Sequence, residues 1–473
     1  MGDWSGKRVL VLGAARQGMA LARWLTRHGA RVTLSDARPE HELIPARESL
    51  ADLPVRWAAG GHSLELLNDC DLLCLSGGVP LNLPIVAEAV RRGTPLSNDT
   101  QIFMEVAPCK TIGITGSAGK STTTALVGEM ARRACADHGP WTLDAISYGP
   151  SSVVYVGGNL GDPLINYADD MKPDDLAVLE ISSFQLEQIT ASPDVAAVLN
   201  VTPNHLDRHG NMQAYTAAKA RILDFQARDD AAILGRDDPG AWGLRAKVKG
   251  SLSAFSLMPL EKDLTGAYLD KQDLKLRDHS GEQPLMSRDQ VRLRGDHNLS
   301  NVLAAFAIGQ AAGLAVAGML KAAQDFRGVP NRLELIRELH GVRWYNDSIA
   351  TAPERSMADI RAFDEPLVLL LGGRDKDLPW ADLAALVRER VDHVVLFGEA
   401  AEKIAAAIGE PQPGARPYSI ARAESLKDAV CKAADVAQSG DVVLLAPGGT
   451  SYDAFKDFEE RGEQFRQWVQ DLS

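Results

Sequence analysis

Residues 110–124, KTIGITGSAGKSTTT, place a glycine-rich turn between a short apolar run and a segment with a helical pattern. Glycines let backbone N–H groups turn inward without Cβ clashes, and the helix that follows points its positive end at the same place. Strand, turn, Lys-Ser and helix are the parts of an ATP phosphate site, in the required order. Ile114 stands where the generic pattern has its first glycine, so a glycine-rich turn without a nucleotide is the alternative. The residues predicted to bind ATP here are Gly116, Ser117, Ala118, Gly119, Lys120, Ser121 and Thr122.

Length and charge narrow the class of protein. The chain has 473 residues, enough for about three domains with a core in each. A net charge of −13 argues against a nucleic-acid partner, because such binding depends on neutralising phosphates. The five cysteines are scattered without a Cys-x-x-Cys pair, and neither a cleavable signal nor an apolar run of about 20 residues is visible. We therefore expect a cytoplasmic protein with no membrane partner.

The first 108 residues have the pattern of a Rossmann-like domain. Residues 7–13, KRVLVLG, predict a buried strand, and Met19–His28 predict the helix after it. Between them, residues 13–18 resemble the dinucleotide fingerprint, with Asp36 as the acidic residue further on. Ala15 replaces the glycine that normally lets the backbone approach a pyrophosphate, which weakens an NAD site, and a plain strand–helix turn is the alternative. A second glycine-rich turn, residues 76–79, follows another strand of the same sheet.

Two apolar runs after the phosphate loop end in residues that can bind a metal. LAVLEI ends near Glu180, where a P-loop ATPase has the carboxylate that meets Mg²⁺, and VAAVLNV precedes His205. From spacing alone, an ordinary strand-end carboxylate and a loop histidine are equally compatible. Lys219 lies in an amphipathic helix, where its composition predicts a solvated lysine. Asn298 and Asn301 share one face of a later helix start, which suits an adenine edge or helix capping.

The whole chain predicts an α/β fold of three domains. Residues 1–108 form the Rossmann-like domain and 109–328 a central P-loop ATPase domain with a mainly parallel sheet. Within it, residues 134–152 have the composition of an insertion and residues 228–295 that of a strand-rich stretch. From 329 to 473, strands alternate with helices and turn glycines, which predicts a second Rossmann-like domain. Its strand ends carry many polar residues: Arg332, Asp347, Arg374, Lys376 and Ser451.

Ten ordered motifs spread over the chain resemble the Mur ligase family. They are GITGSAGKSTTT, VGGNLG, LEISSFQLE, NVTPNHLDRHG, AAKARIL, GDHNLSNVLAA, PNRLE, NDSIAT, LLGGRDKD and APGGTSYDAFKDFEERGEQF. The resemblance implies an ATP-dependent, ADP-forming amide ligase of peptidoglycan precursor synthesis, with UMP-binding, ATPase and amino-acid-binding domains. It further implies that UDP-N-acetylmuramoyl-L-alanine is activated as an acyl phosphate and attacked by glutamate, the D isomer by resemblance alone. A monomer is expected.

The resemblance also assigns roles to residues. Lys120, Glu180, His205 and Lys219 would be catalytic, and two Mg²⁺ ions would be held by Ser121, Glu180, His205 and Lys219, the last as a carbamylated lysine. Four further residues would bind ATP: Asn298, Asn301, Arg332 and Asp347. The UDP-sugar would be bound by Arg16, Gln17, Asp36, Arg38, Ser76, Gly77, Gly78 and Asn159. Glutamate would be bound by Thr351, Lys376, Ser451 and Phe458.

Three residues depart from the pattern of the family. Ala118 stands where Asn is frequent, Gln101 where many relatives have an acid, and Ile349 where the best-known members have Lys. Ile349 removes a charge beside the expected ATP and amino-acid sites. A related Mur-type or folylpolyglutamate-type ligase with another acceptor amino acid, including L-glutamate, is an alternative. A nucleotide switch or an NAD-dependent oxidoreductase does not explain the polar loops of the third domain.

Overall fold

A computed structural model describes residues 3–136, 152–159, 161–376 and 378–473. Most of the insertion predicted at 134–152 lies outside the described residues. The chain forms two compact units, one of Met1–Arg292 with Asp296–Phe326 and one of Leu293–Gly295 with Arg327–Ser473. The first unit contains two β-sheets and the second unit contains one. The predicted three-domain α/β fold is confirmed, while the exact boundaries at 108 and 328 stay predictions.

The first sheet is parallel and has the strand order β3-β2-β1-β4-β5. Its strands are β1 Arg8–Leu12, β2 Arg31–Ser35, β3 Arg56–Ala58, β4 Leu72–Leu75 and β5 Leu96–Ser97. Its helices are α1 Arg16–Arg27, α2 Ile44–Glu48, α3 Pro84–Arg92 and α4 Asp99–Val106. The helix predicted at Met19–His28 therefore begins three residues earlier, inside the glycine fingerprint. Gly18 makes this possible, because a Cβ there would lie 1.9 Å from the Gly13 carbonyl oxygen.

The second sheet belongs to the same unit and has the strand order β14-β13-β12-β11-β10-β9-β6-β8-β7. Its strands are β6 Lys110–Thr115, β7 Val154–Gly158, β8 Leu176–Glu180, β9 Val195–Val198, β10 Ala231–Gly235, β11 Ser251–Ser256, β12 Thr265–Asp270, β13 Asp273–Asp278 and β14 Gly281–Ser287. Its helices are α5 Lys120–Ala136, α6 Ser183–Leu186, α7 Leu206–His209, α8 Met212–Asp224, α9 Pro239–Trp242, α10 Asp296–Ala312 and α11 Val316–Asp325. The pairs β12–β13 and β13–β14 are antiparallel, and the other pairs of this sheet are parallel. Strands β10–β14 confirm the strand-rich stretch predicted at 228–295.

The third sheet forms the second unit, with the strand order β15-β16-β20-β17-β18-β19. Its strands are β15 Glu334–Leu339, β16 Val342–Asn346, β17 Leu367–Gly372, β18 His393–Phe397, β19 Ser419–Arg422 and β20 Val442–Gly448. Its helices are α12 Pro353–Ile360, α13 Ala381–Arg390, α14 Ala401–Ile408, α15 Leu426–Val436 and α16 Phe458–Asp471. Only the edge pair β15–β16 is antiparallel.

Burial explains why the central strands read as continuous apolar runs. Every residue of β8, β9, β17 and β20 is buried, since helices cover both faces of a parallel sheet. Their polar residues are confined to the strand ends, which is where ligands of open α/β sheets bind. Across the described parts of the chain, the helices are all too short or too polar to cross a membrane.

Candidate functional site

The phosphate loop, residues 116–119, joins β6 to α5 as the sequence predicts. Asn200, which follows β9, holds the loop from one side. Its Oδ1 accepts a hydrogen bond from the Ala118 amide (2.8 Å), and its Nδ2 donates to the Ala118 carbonyl (3.1 Å). Its backbone carbonyl accepts from the Ser117 amide (3.0 Å), and the Ser117 hydroxyl donates to the Thr202 carbonyl (2.9 Å). Asn200 fixes the loop and was not identified from the sequence, although it stands in the NVTPNH motif.

An amide pair at the start of α10 lies against the other side of this loop. Gly119 has φ +83°, and a Cβ there would lie 2.2 Å from Asn301 Oδ1, so only glycine fits. Asn301 Nδ2 donates to Asn298 Oδ1 at 3.2 Å. The predicted shared face of the two asparagines is confirmed, and the structure places it beside the phosphate loop. Ser121 and Thr122, in the first turn of α5, are both buried.

Two lysines share one carbonyl oxygen of the loop. Lys120 Nζ donates to the Gly116 carbonyl at 3.0 Å, and Lys219 Nζ donates to the same oxygen at 2.9 Å. Lys219 is only 1% exposed, so the solvated lysine predicted from its composition is wrong. Its burial, together with the positive charge of Lys120, lowers the pKa of Lys219 to about 7. Lys219 is therefore a partly neutral amine at physiological pH.

Glu180 lies at the end of β8 and is 3% exposed. Its Oε1 accepts a hydrogen bond from Asn159 Nδ2 at 2.9 Å, whereas Oε2 is buried without a hydrogen-bond partner among the described residues. A buried carboxylate oxygen of this kind needs a cation or a donor that arrives with a ligand. His205 precedes the one-turn helix α7 in a left-handed conformation (φ 52°), with its ring 5.2 Å from that of Phe184.

Sheet topology explains why these residues are neighbours. Strands β9, β6, β8 and β7 are adjacent in the second sheet. The phosphate loop follows β6, Glu180 ends β8 and Asn159 follows β7, while the segment after β9 leads to His205. Among the described residues, no three His, Cys, Asp or Glu side chains are grouped as a preformed metal site. A Mg²⁺ ion at this edge would therefore need phosphate oxygens and water to complete its coordination.

The predicted UDP-sugar residues of the first sheet surround its two glycine turns. Asp36 accepts hydrogen bonds from the Ala14 amide (2.7 Å) and from Arg38 Nε (3.0 Å). Burial opposes ionisation of Asp36, but these hydrogen bonds outweigh it and lower its pKa to about 2. The carboxylate is thus ionised and committed to Arg38. Arg16, by contrast, is exposed.

Hydrogen bonds join the two glycine turns. Ser76 Oγ donates to the Gly13 carbonyl (3.0 Å), and the Gly77 amide donates to Gln17 Oε1 (3.1 Å). A small cleft lies between this turn and the second sheet, inside the first unit. Its lining includes Ser76 and Gly77 from the turn and Phe184 and Arg208 from the second sheet.

In the second unit, the loops after three adjacent strands meet. The loop after β20 pairs with the loop after β17 through Arg374 and Thr450, whose amides each donate to the other's carbonyl (2.7 and 3.0 Å). It also pairs with the loop after β16, since the Gly448 amide donates to the Ala350 carbonyl (2.8 Å). These loops carry the predicted glutamate-binding residues: half-buried Thr351, exposed Lys376 and buried Ser451. Phe458 is held against the loop after β16, because its carbonyl accepts a hydrogen bond from Ser348 Oγ at 2.8 Å.

Arg332 and Asp347 also lie in the second unit. Asp347 is buried and accepts a hydrogen bond from the Leu333 amide (2.6 Å). It shares a further hydrogen bond with Asp359 of α12, another buried acid. Burial, and then the nearby Asp347 carboxylate, raise the pKa of Asp359 well above its usual range, although Arg332 and Arg355 oppose this shift. At neutral pH the two acids therefore hold one proton between them, which makes their hydrogen bond. The sequence analysis did not identify this acid pair.

We expect Asp359→Asn to stabilise the protein above about pH 7. The pKa of Asp359 is raised on folding, so its contribution to stability is full below about pH 4, near the pKa of the unfolded state, and is lost as pH rises towards the higher pKa of the folded state. Asparagine keeps a donor for Asp347 and has no proton to lose. The midpoint of thermal unfolding at pH 8 should rise by a few degrees, as expected for a gain of about 1 kcal/mol, and the difference should shrink towards pH 4. Asp359→Ala, which lacks the donor, should be destabilised throughout; a pH-independent difference for Asp359→Asn would contradict the protonated state.

Comparison with known proteins agrees with this fold. Three family models match successive parts of the chain: the MurD-like N-terminal domain of Mur ligases at residues 7–97, the Mur ligase middle domain at 114–309 and the glutamate ligase domain at 331–449. A parallel α/β fold with a phosphate loop at the carboxyl end of β6 defines a nucleotide-binding protein. The three matches show that this chain belongs to the Mur ligase family, whose members are ATP-dependent ligases.

Curated relatives define the branch of the family. The chain is 38% identical to a protein of Symbiobacterium thermophilum over 99% of this chain and 98% of the relative. It is also 38% identical to a protein of Koribacter versatilis over 100% of this chain and 99% of the relative. Both relatives are named UDP-N-acetylmuramoylalanine–D-glutamate ligase. The chain is therefore a MurD-like Mur ligase.

Solved structures show the same fold at lower identity. UDP-N-acetylmuramate-alanine ligase MurC of Thermotoga maritima matches with a TM-score of 0.54 and 20% identity, over 98% of this chain and 99% of that chain. MurF of Acinetobacter baumannii matches with a TM-score of 0.55 and 17% identity, over 98% of this chain and 94% of that chain.

Proposed function

We propose that this protein joins D-glutamate to UDP-N-acetylmuramoyl-L-alanine with the conversion of ATP to ADP and phosphate. The identity of 38% to ligases of that name over the whole chain carries the proposal. In the reaction, the alanine carboxylate takes the γ-phosphoryl group, and the glutamate amine then displaces phosphate from the acyl phosphate. A carboxylate is a poor electrophile until its oxygen becomes part of a good leaving group, which explains why ATP is consumed.

The phosphate loop is proposed to position ATP for in-line transfer. Such a transfer needs alignment and charge neutralisation more than covalent chemistry. Lys120 would meet the β- and γ-phosphates, exchanging its contact with the Gly116 carbonyl for phosphate oxygens. The amide of Gly119 and the amides of the first turn of α5 would bind phosphate through their N–H groups, since the Ser117 and Ala118 amides donate to Asn200. Asn298 and Asn301 are proposed to bind the adenine, and Arg332 and Asp347 are proposed to bind ATP as well.

Two Mg²⁺ ions are proposed to bind beside the residues at the carboxyl edge of the second sheet. Among the residues that the structure describes, Oε2 of Glu180 has no hydrogen-bond partner, and a hard cation would satisfy this buried oxygen. Ser121 lies beside Lys120 in the first turn of α5. Bound there, Mg²⁺ would neutralise charge on the phosphates during transfer. His205 is proposed as a further ligand.

Lys219 is proposed to carry a carbamate formed with CO₂. The nitrogen of a neutral amine attacks CO₂ and loses a proton, so a lysine with a pKa near 7 is suited to the reaction. Modification also replaces one of two cations that share the Gly116 carbonyl by an anion. That anion would be a ligand for the second Mg²⁺.

The two substrates are proposed to bind at different sites. The joined glycine turns of the first sheet, with Arg16, Arg38 and Asn159, would bind the nucleotide sugar. The loops that carry Thr351, Lys376 and Ser451 would bind glutamate, with Phe458 shaping the site. The protein is proposed to act in the cytoplasm, which its free cysteines and its proposed use of ATP support. It is also proposed to be a monomer. Light scattering of the purified protein would test the oligomeric state.

Phosphate release with a panel of substrates tests the function. Purified protein with ATP and Mg²⁺ alone should release little phosphate, because no acceptor carboxylate is present. Addition of UDP-N-acetylmuramoyl-L-alanine and D-glutamate should start rapid release, whereas L-glutamate or D-aspartate should not. Activity confined to L-glutamate would overturn the named amino acid but keep the ligase. Rapid release without the nucleotide sugar would overturn the ligase itself.

Lys376→Ala is expected to raise the KM for glutamate by about tenfold or more, because a charge-assisted hydrogen bond to a carboxylate is worth about 1.5–3 kcal/mol. With Ile349 uncharged, Lys376 should carry more of the recognition of the two carboxylates of glutamate. The KM for UDP-N-acetylmuramoyl-L-alanine should stay nearly unchanged. Lys427→Ala, which removes an exposed lysine of α15, is the matched control. An unchanged glutamate KM in Lys376→Ala would remove this residue from the site.

A further inference from the structure

Three side chains of the second sheet form a stack beside the cleft. The guanidinium carbon of Arg208 lies 4.0 Å from the centroid of the Phe184 ring. Phe184 also stacks on His209, with the ring centroids 5.1 Å apart and the planes 4° from parallel. A guanidinium over an aromatic ring is attracted by the negative face of that ring. We call Arg208, Phe184 and His209 the cleft stack.

His209 anchors this stack. Its side chain is buried, its Nδ1 lies 2.9 Å from Glu187 Oε1 and its Nε2 lies 3.0 Å from Ser183 Oγ. Ser183 begins the one-turn helix α6 and Glu187 follows its end. The imidazole therefore contacts both ends of the turn that carries Phe184. A serine, a histidine and a carboxylate in this order resemble a hydrolase triad. Ser183 is buried, however, so the arrangement orients Phe184 and offers no accessible nucleophile.

Arg208 connects the stack to the glycine turn of the first sheet. Its Nη2 donates to the Val79 carbonyl at 3.1 Å, and its Nη1 lies 3.5 Å from the Gly78 carbonyl. Glu187, which also lines the cleft, lies close enough to Arg208 to interact with its charge. A guanidinium has five N–H groups in a rigid fork, so these contacts leave donors for an anionic ligand. Arg208 was not identified from the sequence.

The other end of the stack leads to the phosphate loop. The His209 ring lies 5.0 Å from that of Tyr215, and Tyr215 Oη lies 3.1 Å from Ser117 Oγ of the loop. The cleft stack is therefore part of a continuous series of contacts from the loop to residues 78–79, all within the first unit.

We propose that Arg208 binds the nucleotide sugar and that His209 positions Arg208 for this role. Held by Phe184 and His209, it fixes the turn at residues 76–79 and presents its remaining N–H groups to the anionic part of that substrate. The inference rests on the proposed ligase function. It adds to that function a specificity-determining arginine and a histidine that acts through it.

The test compares Michaelis constants for the three substrates. Arg208→Gln should raise the KM for UDP-N-acetylmuramoyl-L-alanine by about tenfold or more, while the KM values for ATP and glutamate change less than about twofold, since a charged hydrogen bond is worth about 1.5–3 kcal/mol. Arg208→Lys keeps the charge but not the fork and should show a smaller rise. His209→Phe keeps the ring and loses both hydrogen bonds, so it should raise the same KM. A fall in thermal stability alone, with this KM unchanged, would mean that His209 is only structural and would overturn its positioning role.

Controls separate the inference from the function on which it rests. Arg236 also stacks on an aromatic ring, that of Trp242, and pairs with Glu261, so Arg236→Gln is a matched control that should leave all three KM values unchanged. Wild-type protein without activity towards the nucleotide sugar would overturn both proposals. An active wild type with an unchanged KM in Arg208→Gln would overturn the inference alone. If Arg208→Gln does not fold, Arg208→Lys decides: a wild-type KM for the nucleotide sugar in that variant would overturn the requirement for a guanidinium.

Discussion

Lys219→Ala is expected to leave less than about 1% of the wild-type rate, the size of effect seen when one group that stabilises a transition state is removed. The side chain is buried, and its amine lies on the same carbonyl as Lys120, so alanine removes the proposed carbamate and leaves a space. Without that anion, the second Mg²⁺ would lose a ligand. Phosphate release under saturating substrates measures the loss.

Chemical rescue distinguishes a lost carbamate from a damaged fold. Formate or acetate should partly restore Lys219→Ala, because a small carboxylate can enter the space and supply the missing anion. Lys120→Ala should gain nothing from the same additives, although the two amines lie on one oxygen. Wild-type activity in Lys219→Ala would contradict the carbamate and show that Lys219 is an ordinary buried lysine. Equal rescue of both variants would show that the carboxylate acts elsewhere.

Removal of CO₂ from the buffer at different pH values is a second test of the carbamate on Lys219. Below about pH 7 its amine is increasingly protonated and cannot react with CO₂, whereas above that pH it is increasingly neutral. Removal of CO₂ from the buffer should therefore lower wild-type activity more at pH 6 than at pH 8. Added bicarbonate should reverse the loss.

Much of the fold follows from local patterns in the sequence. Buried parallel strands such as β8 and β17 are short apolar runs that end in polar residues, so their positions and their functional ends can be predicted together. The predicted order of strand, loop and helix around Lys120 is confirmed, as is the shared face of Asn298 and Asn301. The helix start at Arg16 was missed because Gly18 permits helical packing inside a motif that looks like a loop.

Other features depend on contacts between distant parts of the chain. The pattern of α8 predicts an exposed Lys219, but the residue is buried. Its side chain lies against the phosphate loop, where its amine donates to the Gly116 carbonyl, 103 positions away in the sequence. Asn200 acquires its role only because β9 lies beside β6 in the sheet. The hydrogen bond between Asp347 and Asp359 likewise requires α12 to pack beside the end of β16. No local pattern of residues records such pairings.

Lys120→Ala is expected to lower turnover by about 10³-fold or more, with a smaller effect on the binding of ATP. A cation on the transferring phosphoryl group acts mainly where charge develops, so its loss falls on kcat more than on ground-state affinity. The loop should keep its shape in the variant, because Asn200 holds Ala118 by two hydrogen bonds and Asn301 packs against Gly119. Titration with a non-hydrolysable ATP analogue should give a Kd within about tenfold of wild type, while single-turnover phosphate release should be nearly abolished. Near-normal turnover would mean that residues 116–120 do not meet the reacting phosphates.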